Sequence, residues 1–160
     1  MATSQSRPGP KTLDGARLRI AILSSRWNQE IVDRLIEGAR RGLEQCQTGK
    51  VLEVEIPGAY ELPFAAQQLA QSGRVDAIVA VGSVIRGETT HYEMVAGECG
   101  RGIMDVQLRT GIPIGMGVLT VEDVAQALAR SEGPGGHNVG EEAAVVAVEL
   151  ALLRRSFPTK

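Results

Sequence analysis

The sequence predicts an α/β domain in three layers, with a central four-stranded parallel sheet covered by helices on both faces. Three observations carry that prediction. Short apolar runs rich in branched residues alternate with longer stretches whose apolar residues recur at helical spacing. Such alternation makes parallel βαβ units with right-handed crossovers. Turn-forming residues punctuate the runs, as at Pro57-Gly58 and at Gly133-Pro134-Gly135-Gly136. Finally, 160 residues, 43% of them apolar, suffice for one domain with a real core.

Residues 1–11 are polar and Pro-containing with no apolar periodicity, which predicts a mobile N-terminal tail over 1–12. The domain is assigned to 13–155, and 156–160 form a C-terminal tail. Residues 18–23 are a compact apolar run and read as a buried strand. Residues 30–45 place Val32, Leu35, Ile36, Ala39 and Leu43 on one helical face. Residues 51–56 alternate at period two, as a strand does. The next helix holds Leu62, Ala65, Ala66, Leu69 and Ala70, with Pro63 in its first turn, where a missing N–H costs nothing. Residues 75–82 form the third strand.

A glycine-containing loop then leads into a long helix from about residue 90 to about residue 109. Thr90 and Glu93 have the spacing of a capping box. Gly97, Gly100 and Gly102 each cost that helix about 1 kcal/mol relative to alanine, tolerable where another backbone must come close. Residues 112–119 form the fourth strand, and 121–130 and 140–155 the closing helices.

Several function classes are excluded by composition. The formal net charge of -2 leaves no basic stripe for nucleic acid. The longest apolar runs are far too short to span a bilayer, and no secretory signal is visible, which predicts a cytoplasmic protein. Cys46 and Cys99 lack metal-ligand spacing and are expected to be reduced, partly buried thiols, although a disulfide is possible.

Ligands of open parallel sheets bind beyond the carboxyl ends of the strands, so the chemistry is sought in 24–28, 58–61, 82–91 and at Thr120. The stretch 83–91 leaves a strand and enters a helix N-terminus, where unpaired N–H groups favour an anion and Gly87 allows close approach. A carboxylate at Glu88 opposes an anion unless it points away. His91 beside that site is either a proton shuttle, as a neutral imidazole can take up and return protons, or a capping residue. His137 has no such context and reads as solvated. Trp27 either stacks on a planar heterocycle or packs against a helix. Glu61 either receives ligand hydroxyls or caps a helix. Arg130 is either a fork for phosphate or a favourable charge near a helix C-terminus.

The stretches Ser25-Arg26-Trp27-Asn28, Pro57-Gly58-Ala59-Tyr60-Glu61-Leu62-Pro63, Val81-Gly82-Ser83-Val84-Ile85-Arg86-Gly87-Glu88-Thr89-Thr90-His91-Tyr92 and Gly117-Val118-Leu119-Thr120 resemble, in order, the signature stretches of lumazine synthases. The similarity runs from about residue 18 to about residue 153. It implies a flavodoxin-like fold and an enzyme of riboflavin biosynthesis with no metal or organic cofactor. The implied reaction condenses 5-amino-6-(D-ribitylamino)uracil with 3,4-dihydroxy-2-butanone 4-phosphate, giving 6,7-dimethyl-8-ribityllumazine, phosphate and two waters.

By the same resemblance Trp27 stacks on the pyrimidine, Ala59, Tyr60 and Glu61 line the ribityl chain, and Val84 and Ile85 offer main-chain contacts to the ring. Gly87, Glu88 and Thr89 bind phosphate, mainly through backbone donors and the Thr hydroxyl, and His91 shuttles protons. Arg130 completes the phosphate clamp from a neighbouring subunit of a pentamer, or of a shell of pentamers. Two residues depart from the family pattern: Val139 replaces a usual lysine, and Met116 a usual aromatic or asparagine beside the ring. Val139 is the feature that favours the alternative, a non-catalytic flavin-binding or shell-forming relative. An FMN-binding flavodoxin-like protein is disfavoured, because 24–28 contains no glycine for a phosphate loop.

Overall fold

A computed structural model describes residues 12–159 of the chain, so all but the last residue of the tail expected over 1–12 lies outside the described residues. The elements run β1 (Arg19–Ser25), α1 (Gln29–Gln45), β2 (Lys50–Ile56), a 3-10 turn (Ala59–Glu61), α2 (Leu62–Gln71), β3 (Ala77–Ile85), α3 (His91–Thr110), β4 (Ile114–Val121), α4 (Val124–Leu128) and α5 (Val139–Ser156). All strand pairs are parallel, in the order β2-β1-β3-β4. This is the flavodoxin-like α/β arrangement the sequence predicts.

Alternate residues of the sheet feed two cores. Ile20, Ile22, Val79, Val81, Leu119 and Val121 pack with Val32, Leu35, Ala39 and Leu43 of α1 and with Ala144, Ala147 and Val148 of α5. On the other face Ala21, Leu23, Ile78, Ala80 and Val118 meet Leu62 and Ala66 of α2 and Cys99, Ile103 and Val106 of α3. β1 and β3 are buried almost throughout because each lies between two strands and two helical layers. Glycine sets the spacing between α1 and α5: a β-carbon on Gly140 would collide with the Leu35 carbonyl, and one on Gly38 with the Asn138 amide.

Three expectations are corrected. β3 does not stop at Gly82; Gly82, Ser83, Val84 and Ile85 pair with Val118, Leu119, Thr120 and Val121, so both strands run past their expected ends. Branched residues at 84, 85, 118, 120 and 121 favour that continuation over the break suggested by Gly82. The helix expected from 121 to 130 shrinks to Val124–Leu128, because Asp123 is extended and its Oδ1 accepts the Gln126 N–H at 2.8 Å, capping the helix late. The capping box does not form. Thr90 is the N-cap residue without a side-chain cap bond, and Glu93 is engaged by Arg86 instead, where both partners and not the carboxylate alone carry charge.

Among the α3 glycines, only Gly102 meets a neighbour, the Pro63 ring of α2, whereas Gly97 and Gly100 face open space. Cys46 and Cys99 are free and fully buried in opposite cores, not partly buried as expected. Burial pushes both thiols up, Cys99 to about 11.

Candidate active site

The strand order turns around between β1 and β3: from β1 the chain crosses to β2 on one side, and from β3 to β4 on the other. Connections diverge at such a point and leave a crevice beyond the strand ends. A cleft of about 660 Å³ opens at this end of the sheet. It is lined by Trp27 and Asn28 after β1, Gly58, Ala59, Tyr60 and Glu61 after β2, Ser83, Val84 and Ile85 of β3, Gly87 and Thr89, and His91, Tyr92, Met94 and Val95 of α3. Its volume is that of an ordinary small-molecule site.

One wall is aromatic. Trp27 is 74% exposed, so the helix-packing alternative falls and its ring is free to stack on a flat ligand. Asn28 fixes the turn beneath it, adopting the left-handed conformation (φ 58°) and donating from Nδ2 to the Ser83 carbonyl at 2.8 Å. Gly58 threads between two of the predicted residues. A β-carbon there would fall 2.8 Å from Glu61 Oε2 and 3.2 Å from Trp27 Cδ1. The Glu61 side chain makes no cap bond to α2, which leaves its carboxylate available to ligand hydroxyls.

Gly87 and Thr89 bring the loop between β3 and α3 into the lining. No hydrogen bond among the described residues engages the backbone N–H groups of Gly87, Glu88, Thr89 or Thr90. Four free donors ahead of a 20-residue helix are a ready site for phosphate. A β-carbon on Gly87 would meet nothing within 4 Å, so a ligand can approach the backbone there. His91 is the first residue of α3, and its N–H donates to Thr89 Oγ1 at 3.3 Å. Thr89 and His91 thereby share one corner of the cleft, a hydroxyl beside an imidazole.

Both ends of this loop are held by Arg86. Its N–H donates to the Val121 carbonyl at 2.9 Å, and its Nε to Glu122 Oε2 at 2.7 Å. Its Nη1 pairs with Glu93, and the guanidinium lies 4.2 Å over the Tyr92 ring centroid. The hydrogen bond from Arg86 holds the Glu93 carboxyl below the usual range.

Three predicted residues do not line this cleft: Glu88, Met116 and Arg130. Glu88 follows Gly87 but its side chain is outside. Met116 is 40% exposed on β4, at the open edge of the sheet. Arg130 lies beyond α4 with Nη1 donating to the Gln126 carbonyl at 3.0 Å, and its own carbonyl accepts the Val139 N–H at 2.9 Å. Arg130 and Val139 therefore sit together, and Val139 packs on the α1–α5 core. His137 is not simply solvated; its Nε2 lies 3.2 Å from Glu142 Oε1. Sequence reasoning did not single out Met94 and Val95, although they stand three and four residues after His91 and share its helix face. Ser83 was also missed as a site residue. Its hydroxyl is buried without a partner among the described residues.

The sequence profile described as 6,7-dimethyl-8-ribityllumazine synthase matches residues 17–155. The chain belongs to the 6,7-dimethyl-8-ribityllumazine synthase family. It is 49% identical over 142 residues to the 6,7-dimethyl-8-ribityllumazine synthase of Xanthomonas euvesicatoria pv. vesicatoria (strain 85-10), covering 88% of this chain and 92% of that protein. Against the synthase of Kineococcus radiotolerans the identity is 46% over 144 residues, 89% of each chain. The synthase of Deinococcus deserti is likewise 46% identical over 144 residues, 88% of this chain and 91% of that one. The chain thus spans nearly the whole length of these relatives in the lumazine synthase family, an enzyme family of riboflavin biosynthesis. Among the described residues no helix is long and apolar enough to cross a membrane. None of their His, Cys, Asp and Glu side chains form a group of three or more that could hold a metal ion.

Proposed function

We propose that this cleft condenses 5-amino-6-(D-ribitylamino)uracil with 3,4-dihydroxy-2-butanone 4-phosphate to 6,7-dimethyl-8-ribityllumazine. The observation that carries the reading is the gathering of Trp27, Ala59–Glu61, Val84, Ile85, Gly87, Thr89 and His91 around one cavity at the β1/β3 crevice. Trp27 stacks on the pyrimidine, Val84 and Ile85 offer backbone groups to its edge, and Ala59, Tyr60 and Glu61 receive the ribityl chain. The free N–H groups from Gly87 to Thr90 take the phosphate.

The pyrimidine amine adds to the ketone and water leaves to give an imine. Phosphate is then eliminated, and ring closure releases the second water. His91 moves the protons at each stage, worth about 10²–10⁴-fold, and the rest of the acceleration is the advantage of holding two substrates in attack geometry. No residue in this scheme requires a cofactor.

The site is completed by a neighbour, in a cytoplasmic ring of five subunits or a multiple of five. Supporting this, Arg130, Val139 and Met116 do not line the cleft of their own chain. Gly97 and Gly100 on α3 leave open space where a second backbone fits, and Met94, Met104 and Leu108 of the same helix are exposed.

Lumazine formation, followed by fluorescence from the two substrates without added metal, tests the reading. His91→Ala is expected to lower kcat at least about tenfold with little change in pyrimidine KM. A native protein that binds lumazine but forms none would favour the non-catalytic relative.

A further inference from the structure

We propose that Arg86 is a positioning residue for the anion loop, holding residues 87–90 and His91 in the shape that receives the phosphate-bearing substrate. The proposal deepens the functional reading above and rests on it.

The loop itself has little to hold it. Its four N–H groups are free of hydrogen bonds among the described residues, so its conformation is fixed at its ends. Arg86 supplies both ends. Its backbone continues the β3–β4 ladder through the Val121 carbonyl, and its side chain reaches Glu93 in the first turn of α3, seven residues on. The guanidinium also covers the Tyr92 ring and takes Glu122 at the end of β4. One side chain thus closes the stretch 86–93 into a ring and ties it to two strands.

Two other roles fit the geometry poorly. As stabilising pairs these contacts are weak, since the Arg86, Glu93 and Glu122 side chains are 36%, 54% and 58% exposed and surface pairs of this kind contribute little. As a direct phosphate ligand Arg86 is badly placed. It does not line the cleft, and two carboxylates already take its charge. What remains is geometry: a planar fork whose donors point in fixed directions sets the angle between β3 and α3 where a lysine would set only a distance.

The test compares the full-length native protein with Arg86→Gln, Arg86→Lys and Glu122→Gln. Steady-state constants for both substrates, inhibition by inorganic phosphate and thermal midpoints are measured. Arg86→Gln is expected to raise KM for the butanone phosphate and the inhibition constant for phosphate together, by about tenfold, with pyrimidine KM moving less than about twofold. Arg86→Lys should fall between native and Arg86→Gln. Glu122→Gln, an exposed change that touches no core residue, should shift phosphate binding in the same unfavourable direction.

Tighter phosphate binding in Glu122→Gln would overturn the proposal, because a freed cation would then be acting as the ligand. Unchanged constants in Arg86→Gln would overturn it too, as would losses shared equally by both substrates and accompanied by a lower thermal midpoint. A native protein that forms no lumazine from the two substrates would instead sink the functional reading beneath it.

Discussion

Co-assembling two crippled variants tests whether the cleft is completed by a second subunit. His91→Ala removes the proton carrier from the cleft, while Arg130→Ala removes a guanidinium that does not line the cleft of its own chain. Alone, the first loses acid–base catalysis, about 10²–10⁴-fold. The second loses a charge-assisted contact to phosphate, about 1.5–3 kcal/mol or roughly ten- to hundredfold in KM. If the site is shared in a cyclic ring, each site takes His91 from one subunit and Arg130 from the next. An equal random mixture then pairs a subunit retaining His91 with a neighbour retaining Arg130 at about one half times one half, or one quarter, of the sites. Co-expressed, differently tagged chains purified through both tags should therefore recover about a quarter of native activity at low butanone phosphate, far above the mean of the two variants. Lumazine fluorescence reads the outcome. Activity equal to the average of the separate variants, in assemblies shown to contain both chains, would refute the shared site.

Two further perturbations follow from the structure. Val139→Lys should lower KM for at least one substrate, by up to about tenfold, because a lysine beside Arg130 adds a cation and three donors where valine offers none; constants that stay put or rise would mean the pocket is built around the valine. With its thiol pushed up to about 11 by burial, Cys99 is overwhelmingly protonated at pH 8 and should resist a thiol reagent there until the protein unfolds, as should buried Cys46; rapid labelling of Cys99 in the native protein would show the α2–α3 core opening, and of Cys46 the α1–α5 core.

Most of the scaffold was legible because periodicity reports burial directly. Residues 30–45 and 62–70 carry one apolar face each, and α1 and α2 form there. Two of the errors share a cause, a partner distant in sequence; the third, the late start of α4, comes from the local Asp123 cap. Gly82 reads locally as a strand end, but pairing with Val118 carries β3 onward, and that partner is distant in sequence. The capping box at Thr90 and Glu93 failed for the same reason, since Arg86 lies outside the local pattern that defines such a box. In the site, residues directly following strands were found by the crevice rule, whereas Met94 and Val95 enter the cleft only through the rotation of α3. Arg86 was quoted within a motif yet given no role, because its significance lies in partners on two segments, the first turn of α3 and the end of β4.

The placement of Arg130 outside the cleft of its own chain has a thermodynamic side. In the shared arrangement a phosphate held between the Gly87 loop of one chain and Arg130 of the next belongs to the contact as much as to the cleft. Any anion that binds there favours the assembled over the dissociated state by mass action, about 2.7 kcal/mol per site at a hundredfold excess over its dissociation constant. Reciprocally, diluting the subunits weakens the anion's hold. Substrate supply and the cohesion of the ring then become a single linked equilibrium, with the phosphate ester acting as a removable fastener between neighbours.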